Sequence, residues 1–330
     1  MKQLALEEKI GQVFMFGFPG KSPEGACTLI KTLKPGGIIY FARNCGTVKE
    51  VAALSAQLQN WSRDSAAGIP LFIAADQEGG IVARLTQDIP VMPGPMSLSA
   101  AASKGSANLI EQASRAMAIQ LRSAGINVNL APVLDVNDNP ENPVIGIRSF
   151  GEDPGLVAKY GALATKGFIQ GGVIAVGKHF PGHGNTSVDS HLDLPVLPHS
   201  MERLGSCELV PFTTAINQGI PAIMSAHIVF QAIDSQKPAT LSRAVLKGLL
   251  RDTLGFQGLI MTDCLEMNAI SKHPGTARGA VEALKAGCDL LLVSHTRALQ
   301  EQAWIELLEA VRSGEVSEDR LDDSVERILR

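Results

Sequence analysis

Three of the seven histidines in this 330-residue chain lie in one short segment, GKHFPGHGNTSVDSHLDLP, at positions 177–195. The segment also contains a lysine and two aspartates. Imidazole and carboxylate groups commonly bind metal ions or move protons near neutral pH. Two chemistries are therefore open: a metal site with His179, His183, Asp189 and His191 as its ligands, or proton transfer by the pair Asp189 and His191.

The spacing of these residues favours proton transfer without excluding a metal. Two histidines four positions apart bind zinc well when both lie on one helical turn, but Pro181, Gly182 and Gly184 oppose a helix here. In an extended segment, by contrast, residues two positions apart face the same side. The Asp189 carboxylate could then orient the His191 imidazole and raise its affinity for a proton.

Strand-length apolar runs alternate with helical patterns along almost the whole chain. The runs are continuously apolar, which is typical of parallel strands that are covered on both faces. The sequence predicts eight strands, at Gln12–Phe18, Gly37–Phe41, Leu71–Ala75, Asn127–Ala131, Val173–Gly177, Ala222–Ala226, Leu259–Thr262 and Asp289–Val293. It predicts helices at Glu24–Leu33, Val48–Asp64, Ser106–Ala124, Pro154–Gln170, Met201–Gln218, Arg243–Leu254, Gly275–Ala286 and Ala298–Arg312.

Eight successive strand–helix units predict an α/β fold, a closed TIM-like (β/α)₈ barrel. The first predicted strand is followed by FPGKSP, which lacks the glycine fingerprint of an open dinucleotide-binding sheet. No linker interrupts the pattern, so we expect residues 1–330 to form a single domain. A closing helix is expected between Val316 and Arg330, with Ser317 as its N-cap.

The composition argues against several classes of protein. The chain has 29 basic and 33 acidic residues with both signs interspersed, so no basic stripe predicts nucleic-acid binding. Its apolar runs are too short to span a membrane, and the charged N-terminus MKQLALEEK lacks the apolar core of a signal peptide. Five cysteines without paired spacing indicate a reducing, cytoplasmic setting. The pattern specifies no oligomeric state.

Ionisable side chains follow most of the predicted strands. They are Asp76 after the third strand, Asp135 after the fourth, Lys178 and His179 after the fifth, His227 after the sixth and Asp263 after the seventh. Active sites of such barrels are built at the carboxyl ends of the strands, so we expect these side chains to converge at one mouth. Helix capping or ion pairing would explain Asp135 and His227 equally well.

The histidine-rich segment resembles the signature loop of bacterial β-N-acetylglucosaminidases of glycoside hydrolase family 3. The resemblance rests on KHFPGHG at 178–184 and DSH at 189–191. It continues through LEEKIGQVFMFGF, ADQEGGIVARL, LAPVLDV, IRSFGEDP and IMTDCLEM, which occur in the family's order along the chain. The fold of that family is a TIM-like barrel, in agreement with the strand count.

The resemblance implies an enzyme that hydrolyses terminal β-linked N-acetylglucosamine with retention of configuration, without a cofactor or a metal. Asp263 would be the nucleophile that forms a covalent glycosyl-enzyme. His191 would be the general acid and then the general base, and Asp189 would tune His191. A His–Asp pair would thus replace the second carboxylate of the usual two-carboxylate design.

The resemblance also implies a set of residues that bind the sugar hydroxyls. Charged side chains suit this task because charge-assisted hydrogen bonds give both affinity and orientation. The matching positions are Asp76, Arg84, Arg148, Lys178 and His179.

The loop itself carries further expectations. Gly177, Gly182 and Gly184 are expected to let it swing in after the sugar binds. The family often has aspartate where this chain has Asn185, a change expected to affect the tuning of the acid and not the reaction class. His183 is interpreted as a structural residue.

Three other functions compete with this one. A metal-dependent hydrolase would use the four loop ligands, a non-catalytic carbohydrate-binding barrel would be a degenerate relative, and a phosphorylase would transfer the sugar to phosphate. We expect hydrolysis, in the cytoplasm, of peptidoglycan fragments that carry N-acetylglucosamine. Longer family members continue into a second α/β domain, so the resemblance leaves open a longer, exported parent protein.

Overall fold

The computed structural model describes residues 4–65, 67–187, 189 and 193–330. Within these residues, eight parallel strands close into a barrel in the order β1-β10-β9-β7-β5-β4-β3-β2. The barrel strands are β1 (Phe14–Phe16), β2 (Gly37–Tyr40), β3 (Phe72–Ala75), β4 (Val128–Asn129), β5 (Ile174–Phe180), β7 (Ala222–Ser225), β9 (Leu259–Cys264) and β10 (Leu290–Val293). The predicted (β/α)₈ fold is confirmed.

The continuous apolar runs explain why the strands sit inside a ring of helices. Every residue of β1, β2 and β10 is buried, as a strand covered on both faces requires. The ring closes where β1 pairs with both β2 and β10, with Met15 opposite Gly37 and Phe14 opposite Leu291. Outside the ring, β6 (Val196–Leu197) and β8 (Val229–Phe230) form a two-stranded parallel sheet.

Helices surround the barrel between successive strands. They are α1 (Leu6–Gln12), α2 (Glu24–Thr28), α3 (Val48–Arg63), α4 (Pro95–Lys104), α5 (Asn108–Ser123), α6 (Pro154–Gly171), α7 (Met201–Ser206), α8 (Leu209–Asn217), α9 (Asn268–Ser271), α10 (Thr276–Ala286), α11 (Arg297–Arg312) and α12 (Glu318–Leu329). Two π-helical segments, Leu29–Leu33 and Ala244–Thr253, complete the predicted helices at Glu24–Leu33 and Arg243–Leu254. The closing helix begins as predicted, because the Ser317 side chain accepts a hydrogen bond from the backbone N–H of Arg320.

The structure corrects several predicted boundaries. The strand predicted at Gln12–Phe18 is shorter because Gln12 belongs to α1, a helix that the sequence analysis missed together with α4. The helix predicted at Met201–Gln218 is two helices, α7 and α8, which are separated at Cys207 and Glu208.

Two corrections bear directly on the site. The strand predicted at Val173–Gly177 runs on to Phe180, where it pairs with Ser225. The strand predicted at Leu259–Thr262 likewise runs on to Cys264, which pairs with Leu292. Lys178, His179 and Asp263 therefore lie within the strands and not in loops. Paired residues on either side of them, Gly177 and Phe180 in β5 and Thr262 and Cys264 in β9, limit the directions that their side chains can take.

The described residues also bear on two expectations from composition. All five cysteines are free thiols. None of the described helices has the length and low charge that crossing a membrane requires.

Candidate active site

A cavity of about 380 Å³ opens at the carboxyl end of the barrel. This volume lies within the range of small-molecule sites. The structure brings six of the predicted site residues together in its lining: Asp76, Arg84, Arg148, Lys178, His179 and Asp263.

Lys178 lies at the centre of a buried cluster of charges on one wall of the cavity. Its Nζ is 2.8 Å from Asp76 Oδ1 and 2.7 Å from Glu78 Oε1. Arg84 Nη2 donates to Asp76 Oδ2 at 3.2 Å. Arg148 donates two hydrogen bonds to the Glu78 carboxylate, from Nε at 2.9 Å and from Nη2 at 2.8 Å. Three cations and two carboxylates thus form one network, which holds each side chain in a single direction.

The cluster keeps its members charged at neutral pH. Burial raises the pKa of Glu78, but Lys178 and Arg148 outweigh burial and lower that pKa to about 2. Burial lowers the pKa of Lys178, yet Asp76 and Glu78 raise it above its usual value. The wall therefore presents fixed charges to whatever enters the cavity.

His179 is oriented by a carboxylate behind it. Its Nδ1 lies 2.7 Å from Oδ2 of Asp135, a side chain with no exposed surface. The other oxygen of Asp135 accepts hydrogen bonds from the backbone N–H groups of His179 and His183, at 3.0 and 2.7 Å. Because Nδ1 faces Asp135, the other ring nitrogen, Nε2, lies on the side of the ring away from this carboxylate.

Asp263 lies at the end of β9 with its carboxylate held by the next peptide. Its Oδ1 accepts a hydrogen bond of 2.7 Å from the Cys264 backbone N–H. Burial raises the pKa of Asp263, but His227, His179, this hydrogen bond and Lys178 outweigh burial, so the pKa lies below its usual value. An ionised carboxylate on a rigid strand end can serve as a nucleophile.

His227 fixes the other side of the same residue, Cys264. Its Nε2 lies 3.0 Å from the carbonyl oxygen of Cys264, and its Nδ1 lies 2.8 Å from Thr240 Oγ1. A carbonyl only accepts, so Nε2 carries the proton. The N–H of Cys264 thus holds the Asp263 carboxylate while its C=O is held by His227.

The opposite rim is fixed by Glu266. Its carboxylate accepts hydrogen bonds of 2.7, 2.6 and 2.9 Å from the backbone N–H groups of Ser294, His295 and Thr296. His295 in turn packs on Phe41, with ring centroids 4.8 Å apart.

Burial raises the pKa of Cys264, beside Asp263, to about 11, so this thiol stays protonated at neutral pH.

The family model described as "Glycosyl hydrolase family 3 N terminal domain" matches residues 5–330. The chain belongs to glycosyl hydrolase family 3. The resemblance inferred from the loop motifs is confirmed.

Family members with related sequences and structures are known. The chain is 36% identical to Beta-hexosaminidase A of Pseudoalteromonas piscicida, over 99% of this chain and 61% of that protein. It is 50% identical, with a TM-score of 0.96, to a glycoside hydrolase family 3 beta-N-acetylglucosaminidase from Paenibacillus sp. str. FPU-7, over 99% of this chain and 62% of that one. A Beta-N-acetylhexosaminidase from Beutenbergia cavernae matches at 29% identity and a TM-score of 0.91, over 100% of this chain and 98% of that one. The chain thus spans about three-fifths of the first two relatives and nearly the whole length of the third.

Two of the eight family-derived site residues are not placed in the cavity by the structure. His191 lies outside the described residues. Asp189 is described and half-buried, but it is not among the described residues that line the cavity. Their pairing stays a prediction.

Sequence reasoning missed Glu78, the carboxylate that joins Lys178 to Arg148. A signal was present, because Asp76 and Glu78 are two positions apart at the end of a strand, where such residues share a face. Asp135 and His227 were left undecided. In the structure, Asp135 orients the His179 ring and His227 holds the carbonyl group of Cys264.

In this family 3 chain, the described residues in and directly after β5 are fixed by a hydrogen bond and by close packing. The Asn185 side chain donates a hydrogen bond of 2.7 Å to Asp138, which also pairs with Arg203. A Cβ at Gly184 would lie 1.8 Å from the Val136 carbonyl oxygen, and one at Gly177 would lie 2.7 Å from the Leu134 side chain. Close packing thus explains these two glycines, which were expected to serve mobility.

The described part of the loop gives no support to a shared metal ion. His183 Nδ1 is 2.9 Å from Thr186 Oγ1, as a structural role predicts, and burial and His179 lower its pKa to about 4. Among the described residues, the ligand atoms close enough to share an ion belong to Asp138, Cys207 and Glu208, a group that includes no loop histidine.

Proposed function

We propose that the protein is a retaining, exo-acting β-N-acetylglucosaminidase. The observation that carries the proposal is an ionised Asp263 in the same cavity as the Lys178 cluster. A retaining glycosidase needs a nucleophile and groups that bind the sugar hydroxyls in the same cavity. The names of the relatives, beta-hexosaminidase and beta-N-acetylglucosaminidase, support the same substrate class.

The reaction would proceed in two steps. An Asp263 carboxylate oxygen attacks the anomeric carbon, and the bond to the leaving oxygen breaks as that oxygen takes a proton from His191. The product is a glycosyl ester of Asp263. His191, now neutral, then removes a proton from water, which attacks the same carbon and releases the Asp263 carboxylate. Asp189 would orient and tune His191 in both steps.

The charged wall would hold the sugar during both steps. Asp76 and His179 offer acceptor and ring-nitrogen contacts to hydroxyl groups, and Arg84, Arg148 and Lys178 offer donors. Because the cluster already orders these side chains, binding costs little additional side-chain entropy.

A fluorinated N-acetylglucosamine analogue with a good leaving group tests the covalent step. We expect the protein to gain the mass of one sugar, and peptide mass spectrometry to place it on Asp263. Asp263→Ala should lose turnover of an aryl N-acetylglucosaminide by at least about 10⁴-fold and gain no label. A label on another residue, or faster cleavage of the matching aryl β-glucoside, would overturn the proposal.

For the natural substrate, we propose a peptidoglycan fragment in which N-acetylglucosamine is linked to a muramoyl peptide. The loop resemblance to bacterial enzymes and the five free thiols, which suit a reducing compartment such as the cytoplasm, support this choice. Comparing kcat/KM for such a fragment with that for a chitin disaccharide tests it. A clear preference for the disaccharide would refute it while leaving the glycosidase activity intact.

A further inference from the structure

A second cleft, with a volume of about 280 Å³, lies at the opposite end of the barrel, beside the starts of β9 and β10. Two helical segments face each other across it. Arg243, Lys247 and Arg251, spaced four positions apart, come from the π-helical segment Ala244–Thr253 and the residue before it. Arg320 and Arg327 come from α12.

The charges around this cleft do not balance. Five basic residues line it, against the acidic residues Asp252 and Asp323. The buried Asp289 beneath it adds one further negative charge. The cleft is therefore positive, although the whole chain has more acidic than basic residues.

Two of the arginines use most of their hydrogen-bond donors within the protein. Arg251 donates to the carbonyl oxygens of Phe256 and Gly258 and to Asp289, at 2.9, 2.6 and 2.7 Å. Arg320 donates to the carbonyl oxygens of Leu284 and Cys288. These two side chains close the base of the barrel and contribute charge, but few donors, to the cleft.

The other cations keep donors for a ligand. The Arg243 side chain, which lines the cleft, has no hydrogen bond or ion pair with any other residue that the structure describes. Within the described part of the chain, Arg327 is held through Nη1 alone, by longer contacts of 3.3 Å to Asp289 and 3.2 Å to the Asp323 carbonyl oxygen. Among the residues with described positions, Lys247 pairs with the exposed Asp252 alone. Like charges that face each other across a cleft repel, and a bound anion would relieve that repulsion.

A neighbouring cavity of about 540 Å³ is a weaker candidate for an anion. Its lysines, Lys237 and Lys285, are both paired with Glu282, and Lys285 also pairs with Glu315. Arg243 and Arg320 line both cavities, but this one has four basic and three acidic residues in its lining. The larger excess of positive charge therefore lies in the smaller cleft.

We propose that this cleft binds a phosphate group, either free or as the monoester of a small polar metabolite. Guanidinium groups match phosphate oxygens in geometry and bind them through paired hydrogen bonds. The volume is close to the lower limit of small-molecule sites, which favours a compact ligand. The site lies at the other end of the barrel from Asp263, so the proposal does not depend on the glycosidase activity.

Calorimetric titration of the full chain at low ionic strength tests the site, with inorganic phosphate and glucose 6-phosphate as probes. We expect one site per chain, and tighter binding of glucose 6-phosphate if the monoester is the ligand. Arg243→Gln/Arg327→Gln should weaken binding by at least about tenfold. Arg297→Gln/Arg312→Gln removes the same charge from solvent-accessible positions of α11, outside the cleft, and should leave the affinity unchanged.

Arg243→Gln alone keeps the test decisive if the double variant unfolds, because this change breaks no side-chain hydrogen bond or ion pair among the described residues. It should weaken binding by about threefold or more. No saturable binding by the wild-type protein, or equal weakening in the two double variants, would overturn the proposal.

Discussion

The proposed acid step depends on the imidazole of His191. His191→Ala should reduce kcat/KM for a methyl N-acetylglucosaminide by about 10²–10⁴-fold, because a poor leaving group needs protonation. A dinitrophenyl glycoside, whose leaving group needs little protonation, should lose far less. Steady-state kinetics with the two substrates measure the difference, with Asp263→Ala as the control that loses both. Equal losses in His191→Ala would remove this residue from the acid role.

We propose His227 as a positioning residue that acts on the proposed nucleophile through the backbone of Cys264. His227→Asn should lower kcat by about 10–100-fold, because a small displacement of a nucleophile is costly. Product inhibition by N-acetylglucosamine should change little, since the charged wall is intact. His273→Asn, at an exposed histidine, should leave both constants unchanged. A weaker product affinity with an unchanged kcat would contradict the assignment.

Single residues could be predicted from the sequence when they follow strands. Lys178, His179 and Asp263 were found this way, because each lies at the end of an apolar run. The partners of these residues were harder to find. Glu78 and Lys178 are 100 positions apart in the sequence yet 2.7 Å apart in space, and only the closure of the barrel brings them together.

Lys178, in β5, forms ion pairs with Asp76 and Glu78, which follow β3. We expect these ion pairs to stabilise the folded protein as well as to order the sugar-binding wall. Lys178→Met would leave Asp76 and Glu78 buried with one cation fewer, which should lower the free energy of unfolding at pH 7 by about 3 kcal/mol. Glu78 has a folded-state pKa of about 2, below its ordinary value of 4.5. Its ion pairs therefore stabilise the protein above pH 4.5, and this contribution is lost as the pH falls through about 2.

The difference between the wild type and Lys178→Met should accordingly shrink in acid. Urea unfolding at pH 7 and at pH 3 measures it. Lys166→Met is the matched control, because Lys166 pairs with Glu111 on the surface and should contribute less than about 1 kcal/mol. A loss that is the same at both pH values would contradict the electrostatic account.

The loop between β5 and β6 is held through Asn185 and Asp138. Asn185→Asp, the residue the family often has, would place two carboxylates at hydrogen-bond distance and raise the pKa of the pair. The melting temperature should fall at pH 7 and recover as the pH drops through that raised pKa, because protonation removes the repulsion. Asn185→Ser removes the bond without adding charge, so its effect should not depend on pH. The same pH profile in both variants would rule out repulsion.

The whole barrel was easier to predict than its edges. Eight apolar runs with helices between them, and no glycine fingerprint after the first run, favoured the closed barrel over an open sheet. The helices α1 and α4 were missed because they add to the strand–helix repeat rather than belong to it. The strands β5 and β9 were cut short because Lys178, His179 and Asp263 look like loop residues until the barrel provides their partners.

The two ends of the barrel should separate stability from activity. Asp289 has no exposed surface at the base, where it accepts hydrogen bonds from Arg251 and the Ile260 backbone N–H. Asp289→Asn would leave the surrounding arginines without their counter-charge and should cost about 3–5 kcal/mol of unfolding free energy. Below the melting transition, kcat and KM should match those of the wild type, because Asp263 lies at the other end of β9. Glu326→Gln, which removes an exposed pair with Arg330, is the control and should change neither quantity. A folded Asp289→Asn protein with impaired kcat would show that the base of the barrel also sets the geometry of its mouth.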